Sequence, residues 1–150
     1  MKIGIGSDGQ GYELKARLVE ALQRRGFDVY DVGTDSSAPA DYCDYAVKVA
    51  RGVVDGVYDR GILICGTGQG MAITANKVPG VRAALCYDVF SAVMSREHNN
   101  ANVLCTGAWM VDYQQFEKVA LIWLGGVYEC GRHQRRLDKI AAIEAEEISS

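Results

Sequence analysis

Short runs of apolar residues alternate along this chain with segments in which apolar positions recur every three or four residues. The short runs predict five strands, at Lys2 to Gly6, Phe27 to Val32, Ile62 to Cys65, Val81 to Cys86 and Asn102 to Thr106. Strands that alternate with helices imply right-handed βαβ units and a parallel sheet with helices on both faces. The expected fold class is therefore α/β, a three-layer αβα sandwich (Rossmann-like) with a five-stranded parallel sheet.

The periodic segments predict six helices between and after these strands. The first is marked by Leu14, Leu18 and Leu22, and Gly26 is placed to end it. The others are expected from Tyr42 to Val53, from near Gln69, over about 88–97, over Phe116 to Leu124, and over about 133–146. The last helix follows the final strand and still has apolar residues to bury. We expect it to contribute to a dimer by packing on a second subunit.

The composition predicts one domain, spanning residues 1–150, with one core. A net charge of −3 gives no general reason to expect nucleic acid or an acidic membrane as a partner. The sequence has no apolar run of membrane-spanning length and no signal-peptide pattern at its start. Five scattered cysteines without a Cys-x-x-Cys pair indicate free thiols in a reducing cytoplasm, and two histidines make a His-rich zinc site unexpected.

Residues 61–77 carry the most informative motif. A buried strand is predicted to end at Cys65, and Gly66, Gly68 and Gly70 then lead into a stretch of good helix formers. Ligands of open α/β sheets bind where strand ends meet helix starts, and the N–H groups there attract anions. A cysteine at a strand end is more often a small core residue. The combination with the glycines nevertheless favours a catalytic thiolate beside an oxyanion-binding loop, and its spacing matches neither a Walker loop nor the dinucleotide fingerprint.

Four other positions are candidates for the same site, each with an alternative interpretation. Asp8 follows the first strand and could cap the first helix, contact a substrate hydroxyl, or do both. Tyr42 lies early in a helix, where packing is the commoner role. His98 lies near a helix end, where it could interact with the dipole or carry a proton. Asn99 and Asn100 beside it could fix the imidazole tautomer or bind a sugar hydroxyl.

Arg132 and Arg136 are four residues apart and should share one helix face. They could form a solvated basic surface, or their guanidinium groups could grip a phosphate. Because each candidate segment follows or ends near a strand, we expect all of them to meet at one edge of the sheet.

The chain also resembles the type B ribose-5-phosphate isomerase family, which includes the galactose-6-phosphate isomerase subunits. The resemblance runs from about residue 2 to residue 146. It rests on Ile64-Cys-Gly-Thr-Gly-x-Gly-Met continued by 75–84, on Gly6-Ser-Asp8 with Gly11-Tyr-Glu-Leu-Lys15, on Ser95-Arg-Glu-His98-Asn-Asn-Ala-Asn102, and on Gly131-Arg-His-Gln-x-Arg136.

This resemblance implies an aldose–ketose isomerase of a sugar phosphate, with ribose 5-phosphate and ribulose 5-phosphate as the leading pair. It implies that Cys65 moves the proton between C1 and C2, that Thr67 and the N–H groups of Gly66 to Gly70 stabilise the enediolate, and that His98 opens the sugar ring. It further implies substrate contacts from Asp8, Tyr42 and Asn99, and a phosphate grip from Arg132 and Arg136. No metal or redox cofactor is implied. The family's pocket combines two subunits, so a homodimer or a dimer of dimers is expected.

Two positions depart from the family's pattern. Many relatives carry a histidine where this chain has Gly9, and an arginine where it has Trp109. These changes favour, as an alternative, the same chemistry on a tetrose or hexose phosphate or on a less phosphorylated sugar. An alternative of another class is a non-catalytic α/β module that binds a nucleotide or flavin.

Overall fold

The computed structural model describes residues 1–149, which form the predicted alternation of strands and helices. The strands are β1 (Lys2–Ser7), β2 (Asp28–Asp31), β3 (Arg60–Cys65), β4 (Ala83–Leu85) and β5 (Val103–Gly107). The helices are α1 (Tyr12–Arg24), α2 (Tyr42–Val54), α3 (Gln69–Ala75), α4 (Val89–Glu97), α5 (Tyr113–Gly125) and α6 (Gln134–Ser149). A 3-10 turn, Gly131–His133, leads into α6. Every predicted element is therefore confirmed, with differences at the ends.

The five strands form one parallel sheet in the order β2-β1-β3-β5-β4. The chain moves from β1 outward to β2, then crosses to the other side of β1 to form β3. This change of direction makes the carboxyl ends of β1 and β3 a topological switch point, which is where ligands bind in open α/β sheets. Asp8 follows β1 and Cys65 ends β3, so the topology places both at this point.

Helices cover both faces of the sheet and enclose two apolar clusters. On one face, Ile3, Leu18, Phe116 and Trp123 belong to a fully buried cluster. On the other face, α2 and α3 pack through Ala46, Val49 and Met71 against the opposite sides of β3 and β5. The three-layer αβα prediction is confirmed.

Helix α6 lies outside these layers. Leu137 on its inner side is buried, and the Gly80 N–H donates to the Glu144 carboxylate at 3.2 Å. Ile140, Ile143 and Ile148 are exposed, and a groove of about 440 Å³ runs between α6 and β4. The helix therefore presents apolar side chains to the outside. None of the helices within residues 1–149 is both long and apolar enough to span a bilayer.

Candidate active site

A cleft of about 320 Å³ opens at the carboxyl ends of β1 and β3. Its walls bring together residues from the loops that follow both strands, from the start of α2 and from the segment after β5. The lining residues are Asp8, Gln10, Tyr42, Cys65, Gly66, Thr67, Gly70 and Trp109. Sequence analysis predicted most of this set, including the cysteine.

Cys65 lies at the inner end of the cleft, where it is 5% exposed. Its Sγ accepts a hydrogen bond from the Gly68 N–H at 3.1 Å. This contact ties the sulfur to the backbone of the glycine-rich loop. We expected the Gly68 N–H to donate to the enediolate. In this structure it donates to the Cys65 sulfur instead.

Gly68 is required at its position by the backbone. Its φ is +83°, a left-handed value, and a Cβ there would lie 2.7 Å from the backbone of Thr106. The left-handed turn is what brings the N–H back toward Cys65, three residues earlier. The second glycine of the motif therefore fixes the position of the sulfur.

The first and third glycines make room for two aromatic rings. A Cβ on Gly66 would lie 2.9 Å from the Trp109 ring, and a Cβ on Gly70 would lie 2.5 Å from the Tyr42 ring. Tyr42 and Trp109 therefore flank the loop and form two walls of the cleft. Tyr42, for which packing was the favoured interpretation, does both: its ring packs on Gly70 and faces the cleft.

Asp8 and Thr67 complete the polar lining. Asp8 is buried, and its Oδ1 accepts from the Gly11 N–H at 3.1 Å, just before α1 begins. The N-cap of α1 is Gly11, without a side-chain cap bond, so Asp8 closes the turn before the helix and the prediction that it is the N-cap is wrong. The same carboxylate lines the cleft. The Thr67 carbonyl accepts from the Tyr87 hydroxyl at 2.5 Å, and Thr67 Oγ1 accepts from the Gln69 N–H at 3.3 Å. The glycine-rich loop is thus held from both sides.

The remaining candidates form a second group elsewhere. His98 ends α4, and its ring stacks on the ring of His133 with 4.1 Å between centroids. Arg132 lies in the 3-10 turn and Arg136 in the first turn of α6, and both are exposed. Asn99 borders the groove between α6 and β4.

The expectation that all candidates meet at one edge of the sheet is therefore wrong. Helix α4 runs back against the direction of the strands, so His98 and Asn99 lie at the amino edge, before β5 begins. The Gly61 N–H at that edge donates to the Asn102 carbonyl at 3.0 Å, whereas Cys65 pairs with Gly107 at the carboxyl edge. Four residues of strand separate the two edges by about 13 Å. Within one chain, His98, Asn99, Arg132 and Arg136 stand apart from the Cys65 cleft.

Sequence analysis missed three residues of these two groups. Gln10 lines the cleft, and Glu129 and His133 lie beside His98. His133 falls inside the motif around Arg132, so a signal for it existed. Glu129 has no local signal, because its N–H reaches the Glu97 carbonyl, at 3.0 Å, through a loop that no periodicity predicts.

The other buried cysteines differ from Cys65 in their surroundings. Burial is the main cause that raises the pKa of the Cys105 thiol well above its usual value, and burial also raises the pKa of Cys86. Neither residue lines the cleft. Both thiols are therefore neutral core groups.

Comparison with known proteins places these features in a family. The family model described as Ribose/Galactose Isomerase matches residues 3–140. The chain is 48% identical over 143 residues to ribose-5-phosphate isomerase B of Escherichia coli strain K12, covering 95% of this chain and 96% of that protein. It is 38% identical over 148 residues to D-erythrulose-4-phosphate isomerase of Pectobacterium atrosepticum, covering 98% and 97%.

Solved structures agree with the sequence matches. Ribose-5-phosphate isomerase B of Clostridium thermocellum superposes with a TM-score of 0.97 at 48% identity, covering 98% of this chain and 99% of that one. The Mycoplasma genitalium ribose-5-phosphate isomerase B with bound ribulose-5-phosphate superposes with a TM-score of 0.92 at 44% identity, covering 97% of each chain.

Proposed function

Because this chain belongs to the Ribose/Galactose Isomerase family, we propose that it interconverts the aldose and ketose forms of a sugar phosphate. The observation that supports this most directly is the sulfur of Cys65, which lies in a cleft at the switch point and accepts the Gly68 N–H. Ribose 5-phosphate is the first candidate substrate, since the 48% identical relative from E. coli is named for it.

The proposed chemistry is a proton transfer between neighbouring carbons. The Cys65 thiolate removes the proton from C2 of the open-chain aldose, the carbonyl oxygen on C1 becomes the enediolate oxygen, and the proton returns to C1 while the O2 proton moves to O1. Thr67 and the N–H groups of Gly66 and Gly70 are the proposed donors to the developing charge. Asp8 and Tyr42, on the cleft wall, would hold substrate hydroxyls. No electron leaves the substrate, so the reaction needs no redox cofactor.

We further propose that a complete site requires two copies of the chain. His98, Asn99, Arg132 and Arg136 lie at the amino edge of the sheet, and the Cys65 cleft lies at the carboxyl edge. A homodimer in which the His98 group of one subunit meets the Cys65 cleft of the other would join them, and two dimers could pair into a tetramer. The exposed isoleucines of α6 supply apolar surface for such contacts. His98 would then open the ring, and Arg132 and Arg136 would bind the phosphate.

Mixing two inactive variants tests this arrangement. Cys65→Ala and His98→Asn each remove one half of the site, so each homodimer should be inactive. If they are refolded together in equal amounts, half of the dimers contain both chains, and each of these has one intact site. Recovery of about a quarter of the unmodified activity is expected, as for any site shared across a two-fold axis. No recovery, with mixed dimers demonstrated by mass spectrometry, would place the whole site within one chain.

A tetrose 4-phosphate is a second candidate, favoured by one observation at the cleft. The ring of Trp109 lies against Gly66 and is 67% exposed, so it offers an apolar face where the family resemblance implies a charged arginine. The P. atrosepticum relative is named for erythrulose 4-phosphate. A panel of phosphorylated tetroses, pentoses and hexoses, assayed in both directions, decides between them. A kcat/KM for ribose 5-phosphate above that of every other sugar would reject the tetrose.

We also propose that the protein works in a reducing cytoplasm. Cys43 and Cys130 are exposed free thiols, and Cys65, Cys86 and Cys105 are free as well. Such a set is typical of proteins kept reduced. Fractionation of the native cells, followed by immunodetection, tests the location.

A further inference from the structure

The two histidines of this chain lie beside one carboxylate. Their rings are 4.1 Å apart between centroids and 17° from parallel. Glu129 Oε2 lies 3.4 Å from His133 Nε2 and 3.9 Å from His98 Nε2. We propose that His98, Glu129 and His133 bind a divalent transition-metal ion, best Zn²⁺, and that this ion inhibits the isomerase by occupying His98.

The spacing of the three ligand atoms suits a small ion. All three lie within 4.8 Å of one another. A tetrahedral zinc ion with bonds of about 2.0–2.1 Å holds neighbouring ligand atoms about 3.3 Å apart. The His133 and Glu129 atoms, at 3.4 Å, already have this separation. His98 must turn out of the parallel stack with His133, so that its in-plane nitrogen lone pair points at the ion, and must approach Glu129 by roughly half an ångström. Its side chain, 33% exposed, has room to do so.

An unsatisfied nitrogen points independently to a ligand. The side chain of His133 is 7% exposed, and its Nε2 is buried without a hydrogen-bond partner. Buried polar atoms in folded proteins nearly always have a partner. The Nε2 atom faces the Glu129 carboxylate beyond hydrogen-bonding geometry, and a metal ion between them would supply the missing bond.

Backbone hydrogen bonds hold two of the three residues, His98 and Glu129, in place around this point. The His98 N–H donates to the Met94 carbonyl at 2.9 Å, which fixes His98 as the cap directly after α4. The Glu129 N–H donates to the Glu97 carbonyl at 3.0 Å, which ties the loop to the end of α4. The positions of these two residues are therefore set before any ion arrives, and binding needs only side-chain rotation.

The chemistry of the ligands selects the ion. Two imidazoles and one carboxylate are a common ligand set of zinc sites that keep a fourth position open. Mg²⁺ and Ca²⁺ prefer oxygen ligands throughout, so they should bind far more weakly. A coordinated imidazole nitrogen cannot exchange protons, so an ion on the His98 Nε2 atom would block proton transfer by that atom.

Binding is tested on the untagged protein after EDTA treatment, with Zn²⁺ as the probe. Calorimetry should give one ion per chain, and both histidine side chains should shift in ¹⁵N–¹H spectra, which contain signals from two histidines. Glu129→Gln and His133→Asn should each weaken binding at least about tenfold, in line with the loss of a metal-site partner. Glu129 is exposed, so its variant tests the site even if His133→Asn fails to fold.

Cys130→Ser is the matched control, because Cys130 is an exposed thiol next to Glu129. It should leave Zn²⁺ binding unchanged. Loss of binding in Cys130→Ser, or full binding in Glu129→Gln, would overturn the proposed site.

The inhibition rests on the proposed function, and the binding does not. Zn²⁺ should inhibit turnover of ribose 5-phosphate, which must open its ring, and Glu129→Gln should relieve that inhibition. Erythrose 4-phosphate has its ring-closing hydroxyl blocked by phosphate, so its turnover should be affected much less. Equal inhibition of both sugars would overturn the role of His98. Zn²⁺ binding to a protein that isomerises no sugar would reject the proposed function and leave the metal site standing.

Discussion

At the scale of single residues, the position of the Cys65 sulfur depends on neighbours that lack side chains. Gly66 admits the Trp109 ring, and Gly68 turns its N–H onto the sulfur. Both close approaches leave no space for a Cβ. The position of the Cys65 sulfur is therefore set by the backbone, and Cys65, which is otherwise buried, lines the cleft.

Cys65→Ala should lower turnover about 10²–10⁴-fold, the usual contribution of a positioned base, with little change in substrate affinity. Steady-state kinetics and circular dichroism measure activity and fold. Cys86→Ala is the matched control, because Cys86 is buried but does not line the cleft. Near-normal turnover by Cys65→Ala would remove Cys65 as the base.

In a Cys43→Ser, Cys130→Ser background, iodoacetamide should modify Cys65 first, and bound sugar phosphate should slow the reaction. The background removes the two exposed thiols, and burial keeps Cys86 and Cys105 neutral. Peptide mass spectrometry locates the label. Labelling of Cys86 or Cys105 before Cys65 would contradict the assignment.

Trp109→Arg should shift substrate preference toward ribose 5-phosphate, because it places charged donors on the cleft wall. The kcat/KM ratio of ribose 5-phosphate to erythrose 4-phosphate measures the shift. The companion change Gly9→His does not fit without a rearrangement, since a Cβ on Gly9 would lie 2.2 Å from the Ala38 carbonyl oxygen. Gly9→Ala is therefore the control for displacement of that loop. If Trp109→Arg leaves the kcat/KM ratio unchanged, Trp109 does not determine the substrate preference.

At the scale of elements, a buried lysine joins α1 to the end of β2. Lys15, 1% exposed, places its Nζ 2.7 Å from Asp31 Oδ1 and 2.6 Å from the Thr34 carbonyl oxygen. Asp31 is 39% exposed. Removing Lys15 would therefore leave a partly solvated carboxylate. Removing Asp31 would leave a buried cation.

Asp31→Asn should consequently destabilise the fold more than Lys15→Met does. An uncompensated buried charge costs about 3–5 kcal/mol, whereas methionine fills the same space without a charge. Urea unfolding of both single variants and of the double variant gives the comparison. If Lys15→Met proved the more destabilising change, the main stabilising contact of Lys15 would be its hydrogen bond to the Thr34 carbonyl and not its ion pair with Asp31.

The elements themselves were predictable from sequence, and their meeting points were only partly so. Hydrophobic period is local, which is why the strands around Ile3 and Ile62 and the helix of Leu14, Leu18 and Leu22 were found. The location of the Cys65 cleft was predictable, because a loop that leads from a strand into a helix always lies at the carboxyl edge of a parallel sheet. We placed His98 at the wrong edge of the sheet. Helix α4 runs antiparallel to the strands, so its end lies at the amino edge and not at the carboxyl edge, where Cys65 lies. The contact of Glu129 with His133 depends on tertiary packing alone.

At the scale of the whole molecule, the sheet keeps the two groups of candidate residues apart. β3 and β5 run between them, with Leu63 and Cys105 fully buried in the centre. A close-packed core of this kind does not deform enough to bring the edges together. If the proposed two-subunit site is correct, specific activity should fall on dilution below the dissociation constant of the dimer, and analytical ultracentrifugation at matched concentrations measures that constant.

The same central position of Cys105 predicts how stability depends on pH. Its folded pKa is raised well above the unfolded value, mainly by burial. The stability contribution is thus fully present below the unfolded pKa of about 8.5 and is lost as pH rises, because only the unfolded chain then releases the proton. Between pH 7.5 and pH 9.5 the free energy of unfolding should fall by on the order of 1 kcal/mol for this one thiol. Urea unfolding under reductant measures it, and Cys105→Ala, which has no thiol to ionise, should lose correspondingly less over the same interval. Equal losses in the two proteins would show that Cys105 ionises as readily in the folded sheet as in the unfolded chain.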